Sequence, residues 1–418
     1  MNTYSAYKDS GEQWLGQIPE HWEIRKSKYV WREKNAVSST GNEQLLSVSQ
    51  YEGVRPSNES SRSESCKGYK IVEKDDLVIN IMLAWLGGLG VSNYEGIVSP
   101  AYCIYKPLID VNTKYLHYLY KTPMYLAEFA RHSTGVVPSR WRMYTDDFGQ
   151  VLTVLPPKEE QEAMVAYLDE QAGKLDQAIA REQKMIDLLE ERKQIIIQQA
   201  VTKGLNPDAK MKDSGIDWIG EMPEHWDLTR LKRYVKFING FAFNSNSFSD
   251  SGVRVIRIGD ISKSIDFENC ARSNQRSAKL EQFRIRENDI LIAMSGATTG
   301  KCCIAENVVE AYINQRVGII RCAKPRFIYY ALKTKLFSEY VNITNAGSAQ
   351  PNISSSGICN YPLVMPTDEE QNQIVIYLDK HIANVDRAIE AREKMIALLQ
   401  ERKQIIINEV VTGKIKVL

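Results

Sequence analysis

One stretch of this chain occurs twice, and it restricts the fold more than any other feature. Residues 159–197 and 369–407 align without gaps at an offset of 210 and are identical at 22 of 39 positions. The identity includes the opening Glu-Glu-Gln and the closing Glu191-Arg192-Lys193-Gln194-Ile195-Ile196-Ile197, repeated at 401–407. Internal duplication on this scale means one structural plan executed twice. Each copy carries apolar residues at alternating spacings of three and four. The first seam runs through Val165, Leu168, Ala172, Leu175, Ile179, Glu182, Ile186, Leu189, Lys193, Ile196 and Ala200. The second runs through Val375, Leu378, Ile382, Val385, Ile389, Arg392, Ile396, Leu399, Lys403, Ile406 and Val410. That pattern specifies a coiled-coil seam on a long helix. At a rise of 1.5 Å per residue such a helix spans roughly 60 Å, the length of a spacer rather than of a core element.

The helix ends are also written in the sequence. Thr367 followed by Glu370 has the spacing of a capping box, and Pro157 holds the matching place in the first copy. Gly204 and Gly413 lie just past the last apolar turns, where a helix end favours a residue tolerant of positive φ. Duplicated halves related by an internal two-fold would run the helices antiparallel. A register that sets Leu168 against Ile406, Leu175 against Leu399 and Leu189 against Val385 brings Glu182 opposite Arg392 at the centre. Opposite charges at the one central seam position penalise slipped registers. The alternative is that the two side chains snorkel to the surface.

Between the helices lie two bodies. The expected segments are a first head at 1–157, a spacer helix at 158–203, a second head at 204–366 and a second spacer at 367–418. The fold class is α+β, with two mixed α/β heads joined by an antiparallel helix pair in a pseudo-two-fold arrangement. The net charge of +1 is uninformative, but its distribution is uneven. The second head has 21 Lys and Arg against 16 Asp and Glu, whereas both helical segments are mildly acidic. A basic head is compatible with nucleic acid. The seven cysteines show no metal-ligand spacing and fit structural thiols in a reducing compartment. With no apolar leader and no run of 18 apolar residues, the expectation is a cytoplasmic protein without a membrane segment.

Each half opens on a short motif. Residues 8–22 recur at 212–226, so that Trp14, Gly16, Pro19, His21 and Trp22 reappear as Trp218, Gly220, Pro223, His225 and Trp226. Aperiodic Gly, Pro and Trp indicate a loop pinned by aromatic anchors, with each histidine packed beside its tryptophan. Symmetry then places the N-terminus beside Thr412 and Gly413. Strands are expected at 44–49 and 76–81 in the first head and at 254–258 and 289–292 in the second. Helices are expected at 114–130 and 327–340. Both heads end on a polar loop, 133–141 and 345–352, before a strand leading to Leu155-Pro156 or Met365-Pro366. These loops carry side chains able to read base edges: Arg140 and Arg142 for guanine, Gln350 and Asn352 for adenine.

This plan, with these residues, resembles the specificity subunit of type I restriction–modification systems over essentially the whole chain. The resemblance is carried by Trp-Leu-Gly-Gln-Ile-Pro-Glu-His-Trp (14–22) and its second copy, and by Leu155-Pro156-Pro157 before Glu159-Glu160-Gln161. Gly347-Ser348-Ala349-Gln350-Pro351-Asn352-Ile353-Ser354 and the two Glu-Arg-Lys-Gln-Ile-Ile-Ile runs add to it. It implies that the heads are target-recognition domains, each reading half of a split DNA sequence, and that the helices set the unread gap. It further implies two methylation subunits held by the helices and restriction subunits joining the full complex. The first loop lacks the Gln-Pro-Asn of the second. Apolar residues off the seam, including Tyr167, Met185, Leu188, Ile195 and Ile197 with Tyr377, Met395, Leu398, Ile405 and Ile407, exceed what one seam uses. Part of them is expected to meet the chain's own heads and part to dock the methylation subunits.

Enzymatic readings find little support. Gly296-Ala297-Thr298-Thr299-Gly300-Lys301 has one residue too few between its glycines for a phosphate loop, and Cys302 stands where a hydroxyl is needed. Lys301 remains a candidate for a DNA phosphate. A stand-alone methyltransferase would need an Asn-Pro-Pro-aromatic loop, but Asn206-Pro207 is followed by Asp208. No catalytic residues, metal ligands or cofactor are expected. A protein-binding scaffold with a coiled-coil core is the competing reading.

Overall fold

The duplicated stretch folds as two long α-helices, Lys158–Lys203 and Asp368–Val411. No seam position named above is exposed, Glu182 and Arg392 included. The second helix begins on the expected box: Thr367 N–H and Oγ1 donate to Glu370 Oε2 (3.2 and 2.8 Å). Both helices end on a left-handed glycine, Gly204 at φ +78° and Gly413 at φ +77°. The computed structural model describes residues 3–417 apart from 51–52, 58–65, 138–139, 276–277 and 346–350. The chain divides into two compact units, one of Met1–Gln183 with Lys394–Leu418 and one of Lys184–Glu393.

Each unit is built on a four-stranded antiparallel sheet. In the first, the spatial order is Trp31–Glu33, Tyr102–Pro107, Leu77–Asn80, Leu89–Val91. In the second it is Val235–Asn239, Val317–Cys322, Ile290–Ala293, Cys302–Ile304. The two orders match strand for strand. In both sheets an apolar run, Leu77–Ile79 closed by Asn80 or Ile290–Ala293, is an inner strand buried at every residue, as a short run without alternation requires. A two-stranded pair then leads to each long helix: Leu152–Leu155 with Glu23–Lys26, and Pro362–Met365 with Asp227–Arg230. The second unit adds a further sheet of Phe248–Ser249, Ala271–Ser273, Val253–Ile256 and Ala311–Ile313. In the first unit Leu46–Ser49 forms a two-stranded sheet with Gly53–Pro56.

Two helix expectations need correction. The helix expected over 114–130 is two, Thr113–Tyr120 and Pro123–Arg131. Pro123 has no N–H to continue the first and is suited to start the second. The helix expected over 327–340 is likewise two, Pro325–Leu332 and Lys335–Thr344, the latter capped by Thr334 Oγ1 on Phe337 N–H (3.3 Å). Short helices, Thr145–Gln150 and Ser355–Cys359, precede the last strand of each unit. Side-chain capping accounts for them: Asp147 accepts from Tyr144 N–H (3.1 Å) and Ser354 from Gly357 N–H (3.0 Å).

Each unit's core takes in part of both long helices. In the first, Met164, Val165 and Leu168 are buried together with Ile407, Val410 and Val411. In the second, Ile197, Ala200 and Val201 are buried together with Ile374, Leu378 and Ile382. Ion pairs follow the same order. Asp176 meets Lys403 (2.7 Å) in the first unit, and Lys193 meets Asp386 (2.5 Å) in the second. The cationic seam positions thus bury their stems and reach a carboxylate with their tips.

The opening motif is a clamp on the first turn of each helix. Glu160 accepts from Tyr4 Oη (2.9 Å) and Trp22 Nε1 (3.1 Å) and meets His21 Nε2 (2.5 Å). Glu370 accepts from Trp226 Nε1 (3.1 Å) and meets His225 Nε2 (2.9 Å). Trp22 and Trp226 are buried, whereas the histidines are about half-exposed: each lies on the same carboxylate as its tryptophan, His225 edge-on to Trp226 with centroids 6.3 Å apart. As symmetry requires, the N-terminal strand lies at the end of the second helix, with Tyr7 Oη donating to the Gly413 carbonyl (3.1 Å). A Cβ at Gly413 would stand 2.5 Å from Pro19 Cδ.

The Glu370 carboxyl carries a pH signature. Partial burial alone would raise it, but hydrogen bonds from His225, Thr367 and Trp226 outweigh this and hold it at about 2. Its contribution to stability is therefore complete above pH 4.5 and is lost as pH falls toward 2. Denaturant melts of Glu370→Gln are expected to show a loss of about 1–3 kcal/mol at pH 7, with the difference from wild type shrinking across that acidic window.

Candidate nucleic-acid interface

The described residues that close the polar loops before the last strand hold the same place in both units. In the first, Met143 N–H donates to the Ile81 carbonyl (3.0 Å), just past the buried strand Leu77–Asn80. In the second, Ile353 N–H donates to the Met294 carbonyl (2.9 Å), just past Ile290–Ala293. A rigid inner strand therefore anchors the chain where each loop ends, an arrangement that suits binding residues.

In the first unit the loop closes through paired backbone hydrogen bonds between Thr134 and Arg142 (2.9 Å each). Arg140 is exposed, its N–H donating to the Val137 carbonyl (2.8 Å), and Val136 in the same loop is 94% exposed. Arg142 is half-buried, and its guanidinium donates to the Trp141 carbonyl (2.8 Å). Trp141 stands edge-on to Trp85 with centroids 5.2 Å apart. The two arginines thus differ: Arg140 projects outward, while Arg142 braces the loop.

In the second unit Asn352 is exposed and bridges to Ser295, and Gly296 N–H donates to the Pro351 carbonyl (3.0 Å). Lys301 is exposed, and its backbone carbonyl accepts from Ala293 N–H (2.9 Å) on the same strand. The fold thus gathers Lys301 and Asn352 around one strand end, whereas Gln350 lies outside the described residues. Gly296–Thr298 is a single 3-10 turn followed by the strand Cys302–Ile304, so no helix N-terminus is present to cradle a phosphate. Sequence reasoning missed Gln315 and Arg316. Both are exposed in the turn before strand Val317–Cys322, and the Arg316 carbonyl accepts from Met294 N–H (2.9 Å). Polar residues between two apolar strand runs were the available signal.

No group of three or more His, Cys, Asp or Glu among the described residues could hold a metal ion. Burial pushes the thiols of Cys302 and Cys322 up to about 11 and that of Cys303 to about 12, which leaves them poor nucleophiles. No helix among the described residues is long and apolar enough to cross a membrane.

On the long helices, Met185, Leu188, Met395 and Leu398 are 38–59% exposed. Tyr167 and Tyr377 are half-buried against the cores of their own units, and Ile197 and Ile407 belong to those cores. Glu182 and Arg392 are each half-buried.

Residues 223–396 match the family model described as the type I restriction modification DNA specificity domain. The chain is 25% identical to the type I restriction enzyme MjaVIII specificity subunit of Methanocaldococcus jannaschii, covering 96% of this chain and 94% of the relative. It is 22% identical to the EcoBI specificity subunit of Escherichia coli over 70% of this chain and 64% of the relative. Its fold is shared with a chain from a structure titled as the basis of complex assembly and conformational transition of the type I R-M system. The TM-score is 0.68 at 15% identity, covering 95% of this chain and 99% of that one.

Proposed function

We propose that this chain, a specificity subunit of the type I restriction–modification family, reads a split DNA sequence with one half-site per head. The observation that carries the reading is that the residues closing two divergent polar loops, Met143 and Ile353, are held at the end of the same buried strand of two matching sheets. In the first head Arg140 faces a guanine edge, and Asn352 in the second faces an adenine edge. Lys301 and Arg316 meet backbone phosphates. Arg142 and Gln350 belong to the same loops, Arg142 holding the first in shape. The chain is non-catalytic and supplies recognition to partner subunits.

The two helices act as an antiparallel coiled coil that sets the unread gap. The register centred on Glu182 and Arg392 is supported by the ion pairs inside each unit. Asp176 neighbours Leu175 while Lys403 lies one turn from Leu399, and the Lys193–Asp386 pair stands in the same relation to Leu189 and Val385. The exposed Met185, Leu188, Met395 and Leu398, flanked by Tyr167 and Tyr377, dock two methylation subunits, and restriction subunits join that assembly in the cytoplasm.

Four outcomes test this. Arg140→Ala and Asn352→Ala each relax discrimination at one base pair by about 1–3 kcal/mol, read from competition binding with single-base variants. Lys301→Ala weakens all sequences alike and lowers the slope of log affinity against log salt by about 1. Inserting a heptad beside Lys174 and another beside Lys403 adds about 10 Å. The preferred gap then lengthens by about three base pairs while the half-sites stay the same; an unchanged gap would contradict the spacer role. Leu398→Glu with Met395→Glu leaves DNA binding in place and abolishes co-purification with the methylation subunit.

A further inference from the structure

The two halves differ at the junction between the matching four-stranded sheet and the helix that follows it. In the first unit five residues, 108–112, connect strand Tyr102–Pro107 to helix Thr113–Tyr120. Ile109 and Val111 pack on the core that the long helix completes. Asp110 pairs with Lys158. Asn112 N–H donates to Gln161 Oε1 (2.9 Å), while Gln161 Nε2 donates to the Pro156 carbonyl (2.7 Å). Both ends of the Gln161 amide are satisfied, and Val165 beneath the connection is buried.

In the second unit only Ala323 and Lys324 connect strand Val317–Cys322 to helix Pro325–Leu332. Gln371, the counterpart of Gln161, keeps the anchor: its Nε2 donates to the Pro366 carbonyl (2.9 Å). That bond fixes the amide's orientation and turns Oε1 away from Pro366. Gln371 is 3% exposed, and its buried Oε1 has no hydrogen-bond partner. Val375, the counterpart of Val165, is half-buried, and the next residue, Ile376, is 69% exposed. Gln371, Val375 and Ile376 line a depression of about 520 Å³ together with Lys324, Pro325 and Phe327. The space that the first unit fills with its own connection stands open in the second.

We propose that this depression is a docking pocket for a short extended segment of a partner polypeptide. The first unit defines the occupant's chemistry. Gln371 Oε1 accepts a backbone N–H, as Gln161 does, and Val375 and Ile376 take branched aliphatic side chains like those of Ile109 and Val111. Charge sets the remaining preference. Lys324 Nζ donates to the neutral Asn372 Oδ1 (3.1 Å) and has no carboxylate within salt-bridge distance among the described residues, whereas Arg326 is paired with Glu306 and Asp379. Asp368 stands where the first unit has Lys158, so an acidic residue in the segment is matched by Lys324 instead. The segment is therefore aliphatic–acidic–aliphatic with a free backbone amide after it. The inference does not depend on the DNA reading, because none of these residues belongs to the base-facing loops.

The probe is a fluorescein-labelled, C-terminally amidated peptide copying residues 108–112, titrated into the full chain and followed by anisotropy. Saturable binding is expected, weakened at least tenfold by Ile376→Asp, a change at an exposed position that leaves the core untouched. Replacing Ala323 and Lys324 with the sequence of residues 108–112 fills the pocket from within, which is expected to abolish peptide binding and raise Tm. Absence of saturable binding up to millimolar peptide, or equal binding by Ile376→Asp, would overturn the proposal. A dimer in sedimentation that Ile376→Asp dissolves would also overturn it, since the occupant would then be a second copy of this chain.

Discussion

Neither head closes its core alone, and the rest of the structure depends on that sharing. Met164, Val165 and Leu168 enter the first unit from the start of one long helix, and Ile407, Val410 and Val411 enter from the end of the other. The second unit draws Ile197, Ala200 and Val201 from the end of the first helix and Ile374, Leu378 and Ile382 from the start of the second. Each fully buried valine or isoleucine contributes about 1.5–3 kcal/mol relative to exposure, so helix ends and head are energetically one body. Within each unit the start of one helix must meet the end of the other. The buried tryptophans and the carboxylates of Glu160 and Glu370 then fix where on the first turn each head is held.

A head fixed in this way can change its surface without changing its frame. The two sheets keep one strand order, although few side chains are shared between the heads. The side chains presented at strand ends differ: Arg140 with Trp141 and Trp85 in one, Asn352 with Lys301 and Arg316 in the other. Reading heads of a specificity subunit must vary at the bases they touch while keeping the geometry that presents them. Inner strands buried at every residue, such as Leu77–Asn80 and Ile290–Ala293, give that separation.

The long helices were legible because heptad spacing repeats over many turns and the whole stretch is present twice. Caps were legible because Thr367, Glu370, Gly204 and Gly413 act through local geometry. The split helices were less so: Pro123 marks one break, but the break at Thr334 comes from a hydroxyl cap that ordinary helix periodicity conceals. Arg142 looked equivalent to Arg140, yet its guanidinium is spent on its neighbour's carbonyl, a tertiary outcome with no sequence signature. Gln315 and Arg316 were hidden for a similar reason, since only the sheet order brings their turn beside Asn352. The half-exposed histidines followed from Glu160 and Glu370, which lie far from them in sequence.

The central claim is that one chain carries two readers for one interrupted sequence. Genome-wide mapping of DNA methylation in cells with and without this chain, the methylation subunits present in both, tests it directly. The account predicts that a motif of two specified runs separated by an unspecified gap is modified only when the chain is present. A modified motif without a gap, or a methylation pattern indifferent to the chain, would contradict it.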